Sequence, residues 1–316
     1  MNLRTKINTV VVAGAGVMGS SLAQIFAGCG YSVILYATNQ ARVDKSRELI
    51  SINQGTLVST GELSRAQSDS VIGHISYSLG KDCFSEADFV LETIVENMDI
   101  KHKFFKEISG LISPDVVVAT NTSGLSINGI AKAVSHPERF AGMHWVNPPH
   151  LIPLIEVIGS DESLPQTLDI IRNLSEALGC KPITVHKDPP GFLINRLQLA
   201  VIREAIHIVE NGYASIEDVD TVMKYALGRR YACIGPFETM DFGGVDTFYR
   251  ISGYLFADLC DRKDTPELLS KAFEEGHHGL KSGKGFYDYS GDRAGAAITK
   301  RDEKLIAVSK CLPIDK

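Results

Sequence analysis

Residues 10–36 read VVVAGAGVMGSSLAQIFAGCGYSVILY. The β-branched run Val10–Ala13 is typical of a buried parallel strand. The G-x-G-x-x-G sequence Gly14–Gly19 follows at once and opens a stretch whose apolar residues have helical spacing, and a second β-branched run begins at Ser32. The pattern predicts a strand–helix–strand unit with a phosphate-binding turn between its first strand and its helix.

The three glycines of this turn have different roles in a dinucleotide site. Gly14 allows the tight turn, Gly16 has no side chain to keep a pyrophosphate away from the main chain, and Gly19 lets the helix pack closely on the strand. The phosphates then lie at the positive N-terminus of the helix. We therefore predict that the N-terminal part of the chain binds a dinucleotide.

The end of the second strand departs from the usual NAD pattern. An acidic residue about 20 positions after the glycines normally binds the adenosine ribose, but Tyr36 is followed by Ala37, Thr38 and Asn39. Thr38 could bind the ribose of either NAD or NADP. Arg42 could reach a 2′-phosphate, although a solvated helix position is the simpler explanation for it. The sequence therefore predicts NAD and leaves NADP possible because of Ala37.

Composition restricts the class of protein and of partner. A length of 316 residues favours about two domains, and 44% hydrophobic with 22% charged residues is ordinary for a globular chain. The net charge of −6 argues against a surface for nucleic acid or anionic lipid. No apolar run is long enough to span a bilayer. We expect a small-molecule substrate, with no nucleic acid and no membrane as partner.

The six cysteines are scattered and include no C-x-x-C pair. This spacing favours neither a zinc site nor a disulfide framework, so we expect free thiols, no metal, and a reducing cytoplasmic environment. The N-terminal residues lead directly into the first strand, and we therefore expect no signal peptide.

Strand and helix patterns alternate as far as Lys187, including a long polar helix predicted over Gln40–Ser59 with Gly61 as its C-terminal signal. Two prolines and a glycine in Asp188–Gly191 then interrupt the alternation, and the rest of the chain has mainly helical patterns, with Ser215 as a predicted N-cap. We predict a Rossmann-type, doubly wound α/β domain over residues 1–187, followed by an all-α substrate and dimerisation domain over residues 188–316.

Polar residues follow several of the predicted strands. Glu96, Asn121–Ser123 and His144–Asn147 all lie where a buried strand ends. Ligands of open α/β sheets bind at the carboxyl ends of the strands. The sequence therefore predicts that these residues surround the cofactor and the substrate.

His144 is the strongest catalytic candidate among the nine histidines, most of which lie in polar surroundings typical of the surface. It ends a buried strand, the rigid sequence Asn147–Pro149 follows it, and Glu156 lies on the next strand. If the two strands are neighbours, the carboxylate can fix the tautomer of the imidazole. His144 would then be suited to take a proton from an alcohol.

The chain resembles the L-3-hydroxyacyl-CoA dehydrogenases, and the matching segments follow the family order over nearly its whole length. These segments are Gly14–Gly19, Val95–Asn97 with Lys101, Asn121–Ser123, His144–Pro148, Glu156–Val157, Gly191–Arg196, Gly235–Glu238 and Lys281–Tyr287.

The resemblance implies hydride transfer from the hydroxyl-bearing carbon to a nicotinamide, with His144 as the general base and Glu156 as the residue that orients it. It implies that Ser123 and Asn195 bind the reacting oxygen. It also implies a homodimer. The cofactor residues that it implies, together with the ribose ligand predicted above, are Gly14, Gly16, Val17, Met18, Gly19, Thr38, Glu96, Lys101, Ser123, Asn147 and Lys281.

Simpler structural explanations exist for three of these residues. Glu96 could be an acidic residue in the first turn of a helix, Lys101 a solvated charge, and Asn195 a helix cap. A non-catalytic dinucleotide binder is a further alternative, which the complete set of Ser123, His144, Glu156 and Asn195 disfavours.

Two departures from the family pattern bear on the substrate. Ala37 replaces the ribose-binding aspartate, and Pro149–Pro153 is more similar to the relatives that act on small hydroxy acids, such as L-gulonate, L-carnitine or a pyridine carboxylate. Lys45, Arg47 and Arg65 could contribute to a CoA phosphate site, although a solvated helix face is the favoured explanation. We expect an NAD(P)-dependent short-chain 3-hydroxyacyl-CoA dehydrogenase of fatty acid metabolism. The alternative is the same chemistry on a small free acid.

Overall fold

The computed structural model describes residues 3–312. The chain forms two compact units, and the division between them falls in the sequence between Arg196 and Leu197. The domain boundary that the sequence predicts after residue 187 stays a prediction.

The first unit is built on a sheet of eight strands in the order β3-β2-β1-β4-β5-β6-β7-β8. The first six strands are parallel, β7 is antiparallel to β6, and β8 is parallel to β7. This order confirms the predicted Rossmann-type sheet. The strands are β1 Thr9–Ala13, β2 Ser32–Tyr36, β3 Ile75–Ser78, β4 Phe89–Glu92, β5 Val117–Thr120, β6 Phe140–Trp145, β7 Leu154–Gly159 and β8 Lys181–Val185.

Helices connect these strands. They are α1 Val17–Gly28, α2 Gln40–Ser59, α3 Arg65–Gly73, α4 Met98–Ile108, α5 Ile127–Ala131 and α6 Pro165–Ala177, with 3-10 turns at Lys81–Glu86 and Pro137–Arg139; α7, Ile194–Glu210, begins at the end of the unit. The predicted helix Gln40–Ser59 is confirmed. Helix α3 was not predicted, although Ser64 and Gln67 form the capping box that starts it.

The sheet separates two buried clusters of apolar side chains. Val10 and Val12 belong to one cluster, and Val11 and Ala13 belong to the other. Successive side chains of a strand point to opposite faces, so a run of four buried residues supplies both sides of the sheet. Because the first six strands of the sheet are parallel, their carboxyl ends, where the polar residues lie, are at the same edge.

The second unit is helical. Beyond α7 it contains α8 Ile216–Val222, a π-helical turn at Met223–Leu227, α9 Gly228–Tyr231, α10 Pro236–Gly243, α11 Val245–Leu255, α12 Glu267–Glu274 and α13 Arg293–Cys311. The oxygen Oγ of Ser215 accepts a hydrogen bond from the backbone N–H of Asp218, which confirms the predicted N-cap of α8.

Within the described part of this helical unit, only Ile206 and Thr239 are buried. Large apolar side chains remain exposed instead, among them Phe242 (81%) and Tyr249 (79%). Across residues 3–312, no helix is long and apolar enough to cross a membrane, and no group of three or more potential ligands could hold a metal ion. All six cysteines are free thiols.

Candidate active site

His144 and Glu156 face each other on the neighbouring antiparallel strands β6 and β7, directly opposite in register. The atom Nδ1 of His144 lies 2.7 Å from Oε2 of Glu156. The exposed fraction is 4% for His144 and 0% for Glu156. The condition set by the sequence, that the two strands be neighbours, is met.

The second carboxylate oxygen of Glu156 anchors the start of α7. Oε1 accepts hydrogen bonds from the backbone N–H groups of Leu193, at 2.8 Å, and Ile194, at 3.0 Å. Burial by itself opposes ionisation of Glu156, but the hydrogen bonds from His144, Ile194 and Leu193 outweigh burial and hold the pKa of Glu156 below its ordinary value. Glu156 is therefore a carboxylate near neutral pH.

An ionised Glu156 decides which ring nitrogen of His144 carries the proton. Because the carboxylate can only accept, we assign the N–H to Nδ1, which leaves the lone pair on Nε2. The fully buried ring of Phe192 lies 5.6 Å, centroid to centroid, from the imidazole. Packing and a hydrogen bond together hold the ring in one orientation.

Ser123 and Asn195 come together beside the end of β5. The atom Nδ2 of Asn195 donates a hydrogen bond of 2.5 Å to the backbone oxygen of Ser123. Oδ1 of Asn121 accepts a hydrogen bond of 2.8 Å from the backbone N–H of Trp145 and so ties the end of β5 to the end of β6. Asn195 is the second residue of α7, which excludes its alternative role as the N-cap.

Glu96 holds the loop that carries Ser123. Its Oε1 accepts hydrogen bonds from Oγ1 of Thr122, at 2.5 Å, and from the backbone N–H groups of Ser123, at 2.9 Å, and Gly124, at 3.2 Å. The side chain is 42% exposed. Glu96 precedes Asn97, the N-cap of α4, so it is not an acidic residue of the first turn of that helix.

Lys101 is buried rather than solvated, with 1% of its side chain exposed. Its Nζ lies 2.6 Å from Oε1 of Glu92, which is fully buried, and 3.7 Å from Glu96. Glu92 also accepts hydrogen bonds of 2.6 Å from Oγ1 of Thr120 and from the backbone N–H of Ile94. Glu92 is not among the residues predicted from the sequence, although a carboxylate at the end of an apolar strand is unusual and is itself a signal of a site.

The glycine turn has the shape that a dinucleotide requires. Gly14 has a φ of +124°, and a Cβ added to Gly19 would lie 1.7 Å from the backbone oxygen of Gly14. A Cβ added to Gly16 would meet no protein atom within 4 Å, because Gly16 lines an open cavity. The turn therefore leaves room for a ligand and fits the pyrophosphate of NAD. Thr93, also missed from sequence, donates a hydrogen bond from Oγ1 to the backbone oxygen of Gly14.

The remaining predicted residues lie in three places. Val17 is 61% exposed at the start of α1, and Met18 packs partly on the core. Thr38 and Asn147 are exposed at the ends of β2 and β6. Lys281 is an exposed residue of the helical unit.

Comparison with protein families decides the class of this chain. Residues 9–189 match the model of the NAD-binding domain of 3-hydroxyacyl-CoA dehydrogenase, and residues 191–289 match the model of its C-terminal domain. The chain belongs to the 3-hydroxyacyl-CoA dehydrogenase family. As a member of that family it is an NAD-dependent dehydrogenase that acts on a hydroxyl group. This confirms the predicted fold class and enzyme class.

Relatives with two kinds of activity are similar in sequence to this chain. The 5-formyl-3-hydroxy-2-methylpyridine 4-carboxylate 5-dehydrogenase of Mesorhizobium japonicum is 36% identical over 97% of this chain and 98% of its own length. The 3-hydroxybutyryl-CoA dehydrogenase of Clostridioides difficile is 35% identical over 89% of this chain and 99% of its own length.

Solved structures of the family give the same two kinds of relative. A structure of the pyridine-carboxylate enzyme, described as an NAD⁺-dependent dismutase, has a TM-score of 0.90 at 35% identity and covers 98% of this chain and 100% of that chain. The (S)-3-hydroxybutyryl-CoA dehydrogenase of Ralstonia eutropha has a TM-score of 0.75 at 34% identity, with 90% and 100% coverage.

Proposed function

We propose that this dehydrogenase oxidises the L-3-hydroxyl group of a short-chain 3-hydroxyacyl-CoA, such as 3-hydroxybutyryl-CoA, with His144 as the general base. The buried 2.7 Å contact between Nδ1 of His144 and Glu156 is the observation that supports the chemistry most strongly. An imidazole oriented in this way keeps a lone pair on Nε2 that can accept the hydroxyl proton. Relatives named 3-hydroxybutyryl-CoA dehydrogenase support the substrate.

Glu156 acts through His144 by fixing its tautomer and by stabilising the imidazolium that forms when the proton arrives. Ser123 and Asn195 hydrogen-bond the reacting oxygen, and the 2.5 Å bond between Asn195 and the Ser123 backbone keeps the two residues adjacent. These four residues form the proposed catalytic set.

When bound, NAD supplies the nicotinamide ring that accepts the hydride. The residues of this chain bind the cofactor and orient it. Glu96 and Lys101 act on the nicotinamide side, where the fully buried Glu92 positions the ammonium of Lys101. The other proposed contacts are Gly14, Gly16, Val17, Met18 and Gly19 for the pyrophosphate, Thr38 for the adenosine ribose, and Ser123, Asn147 and Lys281 for the rest of the site.

A second candidate is the same chemistry on a small free carboxylic acid. Its support is the match to the pyridine-carboxylate enzyme, which extends over 98% of this chain with a TM-score of 0.90. The 3-hydroxybutyryl-CoA dehydrogenase structure covers 90% of the chain at a TM-score of 0.75. The Pro149–Pro153 segment, which follows the catalytic strand β6, favours the same alternative.

Initial rates on a panel of substrates distinguish the two candidates. The panel contains 3-hydroxybutyryl-CoA, free 3-hydroxybutyrate, L-gulonate, L-carnitine and 5-formyl-3-hydroxy-2-methylpyridine 4-carboxylate, each with NAD. We expect turnover of the thioester. Turnover of a free acid without turnover of any thioester would contradict the first candidate and support the second.

We also propose that the enzyme is a cytoplasmic homodimer and that it accepts NADP as well as NAD. The exposed aromatic side chains of the helical unit support the dimer, because a second copy of the chain could cover them. The lack of a carboxylate at Ala37 supports the use of NADP.

A further inference from the structure

A cavity of about 500 Å³ lies between the glycine turn and the first turns of α2. Its walls come from two segments, one of which is the turn that fits the pyrophosphate. The lining residues are Ala15, Gly16, Val17, Asn39, Ala41, Arg42, Lys45 and Leu49. A dinucleotide whose pyrophosphate lies on the turn would extend its adenosine ribose toward this cavity at the end of β2.

The side chains that line the cavity include two cations and no carboxylate. Neither Arg42 nor Lys45 forms an ion pair with any of the residues the structure describes. Other cations of the same unit are engaged: Arg65 pairs with Asp69 at 3.1 Å, and Arg47 stacks over the ring of Tyr77 at 4.8 Å. The two cations at the cavity are therefore available to a ligand.

Two carboxylates, Asp44 and Glu48, lie close by in sequence, and Glu48 does not line the cavity. Oδ1 of Asp44 accepts a hydrogen bond of 2.7 Å from Nε2 of Gln40, and Asp44 does not line the cavity. Arg42 and Lys45 are three positions apart and therefore neighbours on α2, where like charges destabilise a helix. An anion between them would remove that repulsion.

The backbone of α2 adds to the positive field. The helix is 20 residues long, and its N-cap, Asn39, lines the cavity. Oδ1 of Asn39 accepts the backbone N–H of Arg42. The N–H groups of Gln40 and Ala41, in the first turn, have no acceptor within the helix. Anions are stabilised at such an N-terminus.

Position 37 contains nothing that would repel an anion. Ala37 is 2% exposed and belongs to the same buried cluster as Ala15 and Val43. In dinucleotide-binding folds, a carboxylate at the end of the second strand selects the ribose hydroxyls of NAD, whereas a nearby arginine accommodates the 2′-phosphate of NADP. The end of β2 in this chain has no carboxylate and has Arg42 nearby, which is the arrangement that accommodates the 2′-phosphate.

We propose that the cavity binds the 2′-phosphate of NADP(H), with Arg42 and Lys45 as its ligands, and that the enzyme binds NADP(H) at least as tightly as NAD(H). The inference rests on the proposed function, since it requires a dinucleotide on the Gly14–Gly19 turn. Arg42 supplies a planar guanidinium suited to paired hydrogen bonds with phosphate oxygens, and Lys45 supplies a point charge.

The test is equilibrium binding of NADPH and NADH to the full-length enzyme, followed by nucleotide fluorescence without substrate. In the wild type, we expect the Kd of NADPH to be equal to or lower than that of NADH. The double variant Arg42→Ala/Lys45→Ala should raise the Kd of NADPH by about tenfold or more, because two charge-assisted hydrogen-bonding groups are lost. The Kd of NADH should change by less than about threefold, because NADH has no 2′-phosphate.

The matched control is Arg65→Ala/Lys103→Ala, which removes the same charge from α3 and α4. It should leave the Kd of NADPH within about twofold of the wild type, since exposed charges outside the site interact weakly through solvent. A second variant, Ala37→Asp, should raise the Kd of NADPH by about tenfold, because it places a negative charge beside the negatively charged phosphate. This variant should still bind NADH. Retained NADH binding shows that each variant is folded.

Three outcomes would overturn the inference. One is a wild-type Kd that is clearly lower for NADH than for NADPH. Another is an equal increase in the Kd of NADPH and in the Kd of NADH in the Arg42→Ala/Lys45→Ala variant. Either would leave the proposed function intact. Failure of the wild type to bind either nucleotide would overturn the proposed function together with the inference.

Discussion

The two compact units of this dehydrogenase differ sharply in how they bury apolar side chains. In the sheet unit, strand residues such as Val11 and Phe89 are fully buried, and two clusters fill both faces of the sheet. In the described part of the helical unit, Ile206 is the only buried hydrophobic residue, while Phe242 and Tyr249 are about four-fifths exposed, at 81% and 79%.

The difference shows where the geometry of each unit comes from. The sheet unit contains its own core and also the contacts described above for His144 and Glu156, because Phe192 and the start of α7 belong to it. The helical unit gains little stabilisation from apolar burial within this one chain. Its apolar surface is therefore the part that we expect a second copy of the protein to cover.

The largest effect on stability should follow from removing one partner of the buried ion pair between Glu92 and Lys101 in the sheet unit. The Glu92→Ala variant leaves the buried ammonium of Lys101 with only its longer, 3.7 Å contact to Glu96, which should lower the free energy of unfolding by about 3–5 kcal/mol. Urea denaturation of wild type and variant measures the difference.

The matched control is an exposed pair of the helical unit, between Asp246 and Arg250. The Asp246→Asn variant should change the free energy of unfolding by less than about 1 kcal/mol, because solvent screens exposed charges. Equal losses from the two variants would contradict the distinction between a unit that buries its polar network and a unit that does not.

The apolar surface of the helical unit gives the next prediction. Replacing Phe242 and Tyr249 by Asp should weaken self-association by about 2 kcal/mol or more for each central aromatic residue. Sedimentation velocity at several protein concentrations should then detect monomers where the wild type is dimeric.

The control for that experiment is Ile72→Asp, which changes a 43% exposed residue of the sheet unit. It should leave the oligomeric state unchanged. A wild-type protein that is monomeric at all concentrations, or a double variant that associates as the wild type does, would count against a dimer through the helical unit.

The smallest of these effects concerns acid stability. The pKa of Glu156 is depressed in the folded protein, so its carboxylate contributes stability above the ordinary value of 4.5 and loses that contribution as the pH falls through the folded pKa. The stability advantage of wild type over Glu156→Gln should therefore shrink as the pH falls below 4.5. Urea midpoints measured for both proteins over a pH series report this change, and parallel pH profiles would be inconsistent with it.

The sequence predicted the elements whose patterns are strong. The alternation of strands and helices up to Lys187 could be predicted because runs such as Val10–Ala13 and Val116–Thr120 are β-branched and bounded by turn residues. Helices α11, α12 and α13 were not predicted. Gly244 precedes α11 and Gly253 interrupts it, and α13 has only a few apolar residues among many polar ones.

For the site, the sequence identified residues at the strand ends but not the contacts between them. His144 and Glu156 could be paired from sequence only on the condition that β6 and β7 are neighbours. The link between Glu92 and Lys101, and the packing of Phe192 on the imidazole, depend on tertiary structure and have no local pattern. The sequence alone therefore also allows a solvated Lys101, which the burial of its side chain excludes.

The most direct test of the central claim is the rate of hydride transfer in the His144→Gln variant, measured in a single turnover with NAD and the substrate found in the panel. If Nε2 of His144 takes the hydroxyl proton, the rate should fall by about 10²-fold or more, while the Kd of NADH stays close to that of the wild type. Hydride transfer at a rate comparable to the wild type would contradict the assignment of His144 as the base.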